Sequence, residues 1–121
     1  MNFIELPSPN FDQRRFPISM IVLHYTGMET AQAALDRLAD PAAKVSAHFV
    51  VAEDGQVVRM VDEANRAWHA GRSEWRGMMD VNSASIGIEI VNPGHEFGYR
   101  PFPEPQMAAV EVLVADIAQR Y

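Results

Sequence analysis

The spacing of apolar residues changes several times along this chain, and each spacing predicts a different element. Residues 18–25 form a short, nearly continuous apolar run rich in strand formers. That run predicts a buried central strand, which Gly27 ends. Between residues 30 and 39, Ala31, Ala34, Leu35 and Leu38 recur at helical spacing, and Asp40-Pro41 supplies the stop. Residues 47–51 and 57–61 read as two strands. The Glu53-Asp54-Gly55 turn between them predicts a hairpin in which Gly55 takes a positive φ. Residues 64–79 are polar, Trp-containing and twice interrupted by glycine, and predict an ordered loop. Strict alternation returns in residues 85–91, with Ile86, Ile88 and Ile90 on one face. Residues 104–121 predict a long helix carrying Met107, Val110, Val114, Ile117 and Tyr121 on one stripe.

The order strand, helix, hairpin, strand, helix predicts a mixed α/β fold, a central mixed β-sheet with helices packed on it. Residues 1–17 contain Pro7, Pro9 and Pro17 and a polar stretch from Asn10 to Arg15. They predict an irregular lead-in draped on the surface of a single domain spanning residues 18–121. The last helix is still in full pattern at Tyr121, with no Gly or Asn cap, which gives the expectation of a chain cut off in mid-fold.

Composition narrows the function classes. Hydrophobic residues at 48% and charged residues at 21% belong to a chain that buries a core rather than a disordered one. A formal net charge of -6 argues against non-specific nucleic-acid binding. No apolar run is long enough to span a bilayer. The absence of cysteine excludes disulfides and thiolate ligands. The first residues show neither a basic start nor an apolar segment, so a cytoplasmic location is the expectation.

Four histidines, His24, His48, His69 and His95, are the first candidates for chemistry, because imidazole is both a common metal ligand and an acid–base group near neutral pH. His24 lies near the C-terminal end of an apolar strand, where a polar group is costly unless it is used or hydrogen-bonded. It reads either as a site residue or as a core histidine bonded to backbone. Glu89 interrupts an isoleucine-rich strand on the face shared by Ser85, Gly87 and Val91. Small neighbours leave space beside it, and burial there would raise its pKa toward that of a general base. The alternative is an ordinary solvent-facing strand residue. Trp68-His69-Ala70-Gly71 suits the floor of a carbohydrate or peptide groove, or a loop pinned to the core by its Trp.

Four segments carry a resemblance: Leu23-His24-Tyr25-Thr26, Ser46-Ala47-His48-Phe49, Trp68-His69-Ala70-Gly71 and Ser85-Ile86-Gly87-Ile88-Glu89. In this order they resemble the successive motifs of the amidase-2 family of N-acetylmuramoyl-L-alanine amidases, whose fold is shared with peptidoglycan recognition proteins and phage amidase-type lysozymes. The resemblance implies zinc-dependent hydrolysis of the amide between N-acetylmuramic acid and L-alanine, with peptidoglycan or a muropeptide as partner. It implies that His24 is a zinc ligand, that Glu89 handles the attacking water, and that Trp68 and His69 contact substrate. It gives His48 a structural or supporting role and leaves His95 as an unassigned surface loop residue. It also implies that a second His, an Asp or Cys and a Lys follow the last helix, so that the rest of the zinc site, the last strand and the last helix would lie beyond Tyr121. The alternatives are a muropeptide-binding module without catalysis and a truncated, inactive form. An uncovered sheet edge in such a form predicts self-association.

Overall fold

The computed structural model describes residues 1–71, 74–94 and 101–121. Its element order is β1 (Phe3–Glu5), β2 (Phe11–Gln13), β3 (Met20–Tyr25), α1 (Ala31–Ala39), β4 (Phe49–Val51), β5 (Val57–Arg59), β6 (Asn65–Ala67), α2 (Val81–Ala84), β7 (Ser85–Ile90) and α3 (Glu104–Arg120). Five strands form one mixed sheet in the order β1-β5-β4-β7-β3, and β2 and β6 form a separate two-stranded ribbon. In the large sheet the β4–β5 pair is antiparallel, whereas β1–β5, β4–β7 and β3–β7 are parallel.

Each face of the sheet is covered by one helix. Ile86, Ile88 and Ile90 of β7, with Phe49, Val51 and Val57, pack against Val110, Leu113 and Ile117 of α3. On the other face, Val50, Val58 and Met60 pack with Leu38 and, at the margin, Ala31 and Leu35 of α1. Full burial of a side chain such as Leu113 contributes about 2 kcal/mol of transfer free energy. The helices begin where local chemistry allows: Thr30 caps α1 by accepting from the Ala33 amide at 3.1 Å. Pro105 sits at the start of α3, where its missing N–H costs no intrahelical bond.

The hairpin forms as expected, and Gly55 takes φ 91°. A side chain there is excluded twice, because a Cβ would also lie 2.9 Å from the Pro105 carbonyl oxygen.

Four expectations need correction. The 18–25 run is not a central strand: β3 is the outermost strand of the sheet, and Leu23 and Tyr25 are half exposed. Of the α3-side face of β3 only Ile21 packs on that core, while Val22 and His24 stand on the other face, so the apolar run does not mean burial on both sides. The 1–17 segment is not wholly irregular, since β1 extends the sheet beside β5 and β2 pairs with β6. Three-residue strands are too short to show a period. The 64–79 loop contains β6. On α3 the buried stripe is Gln106, Val110, Leu113 and Ile117, whereas Tyr121 is exposed. Gln106 holds its place by donating to the carbonyls of Val51 at 3.1 Å and Val91 at 2.9 Å, the first of which also accepts from the Val91 N–H at 3.0 Å.

The lead-in is fastened by polar groups. Ser8 donates to the Leu38 carbonyl, and the Asn10 amide donates to the carbonyls of Asp40 and Val45, both at 2.9 Å. Arg14 forks between the carbonyls of Glu63 at 2.8 Å and Ser83 at 2.9 Å, tying the lead-in to the base of the site.

Candidate active site

β3 and β7 run parallel with His24 directly opposite Glu89 and Val22 opposite Gly87. Because Ile86, Ile88 and Ile90 face α3, the alternation of β7 sends Gly87 and Glu89 to the α1 face. His24 and Glu89 therefore stand side by side there, at the C-terminal ends of parallel strands.

Glu89 lines a pocket of about 190 Å³ together with Thr26, Arg37, Leu38, Trp68 and His69. Burial pushes its carboxyl up to about 7, and among the described residues the enclosed Oε2 has no hydrogen-bond partner. The sequence left Glu89 balanced between a buried base and a surface residue; the structure makes it half-buried and proton-holding near neutral pH.

The space over Gly87 is filled. The His69 imidazole occupies it, so that a Cβ at position 87 would overlap the ring carbons Cδ2 and Cγ of His69. His69 Nδ1 is 3.1 Å from His24 Nε2, and His69 Nε2 is 3.0 Å from Ser85 Oγ. Ser85 in turn donates to the Val81 carbonyl at 2.7 Å. Burial, then the neighbouring His24 and His48 imidazoles, hold His69 down at about 3, so the ring is neutral. Burial also lowers His24 below the usual imidazole range.

The loop carrying Trp68 and His69 is fastened through its backbone. Ser46 and Trp68 exchange bonds, Ser46 N–H to the Trp68 carbonyl at 2.8 Å and Trp68 N–H to Ser46 Oγ at 2.9 Å. The Asn82 side-chain oxygen accepts from the amides of His69 at 3.1 Å and Ala70 at 2.9 Å. This leaves the half-buried Trp68 indole on the pocket wall, its enclosed N–H unpartnered among the described residues. Sequence reading missed Asn82, Arg14 and the anchoring part of Ser85. The Asp80-x-x-Ser83 capping pattern, in which Ser83 N–H donates to Asp80 at 3.2 Å, was the available sign that a helical turn precedes β7.

His48 is entirely buried and serves the frame. Its Nδ1 accepts from the Gly87 amide at 3.0 Å, so Nε2 carries the proton and donates to the Asn65 carbonyl at 2.9 Å. Burial holds it down at about 4. His95 lies outside the described residues.

A larger cavity, about 600 Å³, lies between the lead-in and the end of α3. Four of its charged side chains are matched in pairs, Arg59 with Glu5 and Arg120 with Glu63, each at 2.7 Å, and Asp62 accepts from the Ala64 amide at 3.0 Å, so the candidate chemistry remains at Glu89.

Among the described residues no three His, Cys, Asp or Glu side chains converge to hold a metal ion. His24 fits as one ligand of a zinc site; these residues do not close one. Among the described residues no helix is long and apolar enough to cross a membrane.

Residues 14–121 match the family described as N-acetylmuramoyl-L-alanine amidase. The chain is 34% identical to the N-acetylmuramoyl-L-alanine amidase AmiD of Escherichia coli strain K12, over 90% of this chain and 43% of AmiD. It is 29% identical to the 1,6-anhydro-N-acetylmuramyl-L-alanine amidase AmpD of Haemophilus influenzae, over 97% of this chain and 72% of that protein. The solved complex of E. coli AmiD with the substrate anhydro-N-acetylmuramic acid-L-Ala-D-γ-Glu-L-Lys shares the fold with a TM-score of 0.77 and 34% identity. That match covers 86% of this chain and 44% of the solved one. The chain thus spans less than half the length of AmiD.

Proposed function

This chain belongs to the N-acetylmuramoyl-L-alanine amidase family, and from that premise we propose that its pocket serves hydrolysis of the amide joining the lactyl group of N-acetylmuramic acid to L-alanine in peptidoglycan or muropeptides. The observation that carries this reading is Glu89, a half-buried carboxyl raised to about 7 beside His24. A group with that pKa is present in both charge states near neutral pH. It can take the proton of the attacking water and return it to the departing alanine nitrogen. AmiD bound to a muropeptide substrate supports the substrate class.

Zinc is the proposed cofactor, with His24 as one of its ligands. When bound, zinc would supply Lewis acidity to the scissile carbonyl and to water. The chain's own contribution is separable. Glu89 holds the proton, and Trp68 and Arg37 line the pocket wall facing it. Ser46 and Asn82 keep the Trp68–Ala70 loop in place.

The test is release of peptide from a defined muropeptide, followed by amine labelling of the new alanine N-terminus, with and without added zinc. Zinc-dependent release by the wild type, lost in Glu89→Gln, is the expected result. A folded wild-type protein that binds zinc and releases nothing would refute the reading.

A further inference from the structure

We propose that His69 is a positioning residue, and that with Ser85 it holds His24 in the neutral tautomer whose Nδ1 keeps a free lone pair. The proton positions follow from the inner end of the hydrogen-bonded chain. The Val81 carbonyl can only accept, so the single hydroxyl proton of Ser85 lies on the 2.7 Å line between them. Ser85 Oγ is then the acceptor for His69 Nε2, 3.0 Å away, and that nitrogen bears its proton. A neutral His69 has a bare Nδ1, which accepts from His24 Nε2–H across 3.1 Å. His24, with its proton on Nε2, is left with an unprotonated Nδ1. Two bonds and one carbonyl fix the proton on each ring in turn.

The setting of His69 is over-determined in a way that a substrate contact does not require. Its backbone amide is held by Asn82, its ring is seated on Gly87, and both ring nitrogens are engaged inside the protein. No polar ring atom is left to meet a sugar or a peptide. The resemblance assigns His69 to the substrate; the hydrogen bonds assign it to His24. For a metal ligand this matters, because the nitrogen opposite a fixed hydrogen bond is the one offered to the metal, and such supporting partners commonly change affinity by about 10–100-fold.

The purpose of this relay rests on the zinc amidase reading, but its geometry does not. The tautomer is a property of the metal-free chain and is measured without substrate. Long-range proton–nitrogen NMR spectra of the 15N-labelled, zinc-free protein at neutral pH distinguish protonated from bare ring nitrogens. The expected wild-type result is a protonated Nε2 and a bare Nδ1 on both His24 and His69. In Ser85→Ala, His69 loses the acceptor that locks its proton, and both His24 nitrogens should move toward values averaged between the two tautomers. A merely structural Ser85 would lower the melting temperature and leave the His24 nitrogens unmoved. A proton on Nδ1 of wild-type His24 overturns the proposal, as do unchanged His24 nitrogens in a folded Ser85→Ala. If Ser85→Ala fails to fold, the wild-type assignment decides alone. Failure of the amidase reading would show instead as absent turnover with this tautomer pattern intact.

Discussion

His24 and Glu89 are direct register partners across parallel strands, and they share the face of the sheet that α1 covers. Placing an imidazole and a carboxyl opposite each other puts their Cβ atoms on neighbouring strands about 5 Å apart. With β3 outermost in the sheet, the pair is open on one side and enclosed on the other. Burial is what raises the Glu89 pKa.

Glu89→Gln keeps the shape and removes the proton carrier. Turnover of a muropeptide should fall by roughly 10²–10⁴-fold, the usual contribution of a general acid–base group. The variant should also gain stability at high pH. The folded-state pKa of Glu89 is about 7 against the usual 4.5, so the folded protein holds this proton while the unfolded chain has lost it. The contribution of Glu89 to stability is therefore complete below pH 4.5 and is lost as pH rises through 7. Urea denaturation above pH 7 should show Glu89→Gln more stable than wild type by about 1 kcal/mol after allowing for solvent screening. A midpoint equal to or lower than wild type would count against a buried, raised carboxyl.

Much of this site was legible in the sequence because strand alternation is rigid. Once Ile86, Ile88 and Ile90 are assigned to the core, Glu89 has one face to occupy, and an acidic residue there stands out. Helix α1 and the β4–β5 hairpin were legible for a similar reason, through Thr30, Gly55 and regular apolar spacing. The edge position of β3 was not. Strand order depends on long-range pairing, and an apolar run on an edge strand reads like one in the centre. The Ser85–His69–His24 chain was also hidden, because Ser85, His69 and His24 lie far apart in sequence and their alignment depends on how the Trp68–Ala70 loop crosses β7.

Gly87→Ala tests whether His69 needs the space that Gly87 leaves. Nothing in the Gly87 backbone forbids alanine, and the obstacle is the His69 ring, which occupies the place a Cβ would take. Overpacking of this kind costs about 1–3 kcal/mol. The penalty should shrink in a His69→Ala background, since the clashing ring is gone. A double-mutant cycle by thermal or chemical denaturation reads the coupling. Equal penalties in both backgrounds would mean that the ring does not rest on Gly87.

Gln106→Leu is nearly the same size and more apolar, yet it should destabilise. The Gln106 Nε2 serves the carbonyls of both Val51 and Val91 inside the protein; the substitution removes both bonds, and although the Val51 carbonyl keeps the Val91 N–H, the Val91 carbonyl loses this donor. About 1–3 kcal/mol of lost stability is expected in chemical denaturation. Gln106 Oε1 has no partner of its own among the described residues, so the amide nitrogen alone carries the effect. A neutral or stabilising Gln106→Leu would show that packing outweighs the two bonds.

Acid stability should be dominated by the buried histidines once Glu89 is removed. His48 is held down at about 4 and His69 at about 3, against 6.5 for an unburied imidazole. Below 6.5 the unfolded chain takes up protons that the folded protein refuses. Their contribution is therefore complete above pH 6.5 and is lost as pH falls toward 4 and then 3. Glu89 acts in the opposite sense between 4.5 and 7, so in the wild type the two trends oppose each other over that window. Glu89→Gln cancels the opposing trend and should make the loss of stability from pH 6.5 to 4.5 steeper than in wild type. The comparison needs only denaturation midpoints of the two proteins at several pH values. A wild-type curve as steep as that of Glu89→Gln would mean that Glu89 does not carry its proton into the folded state.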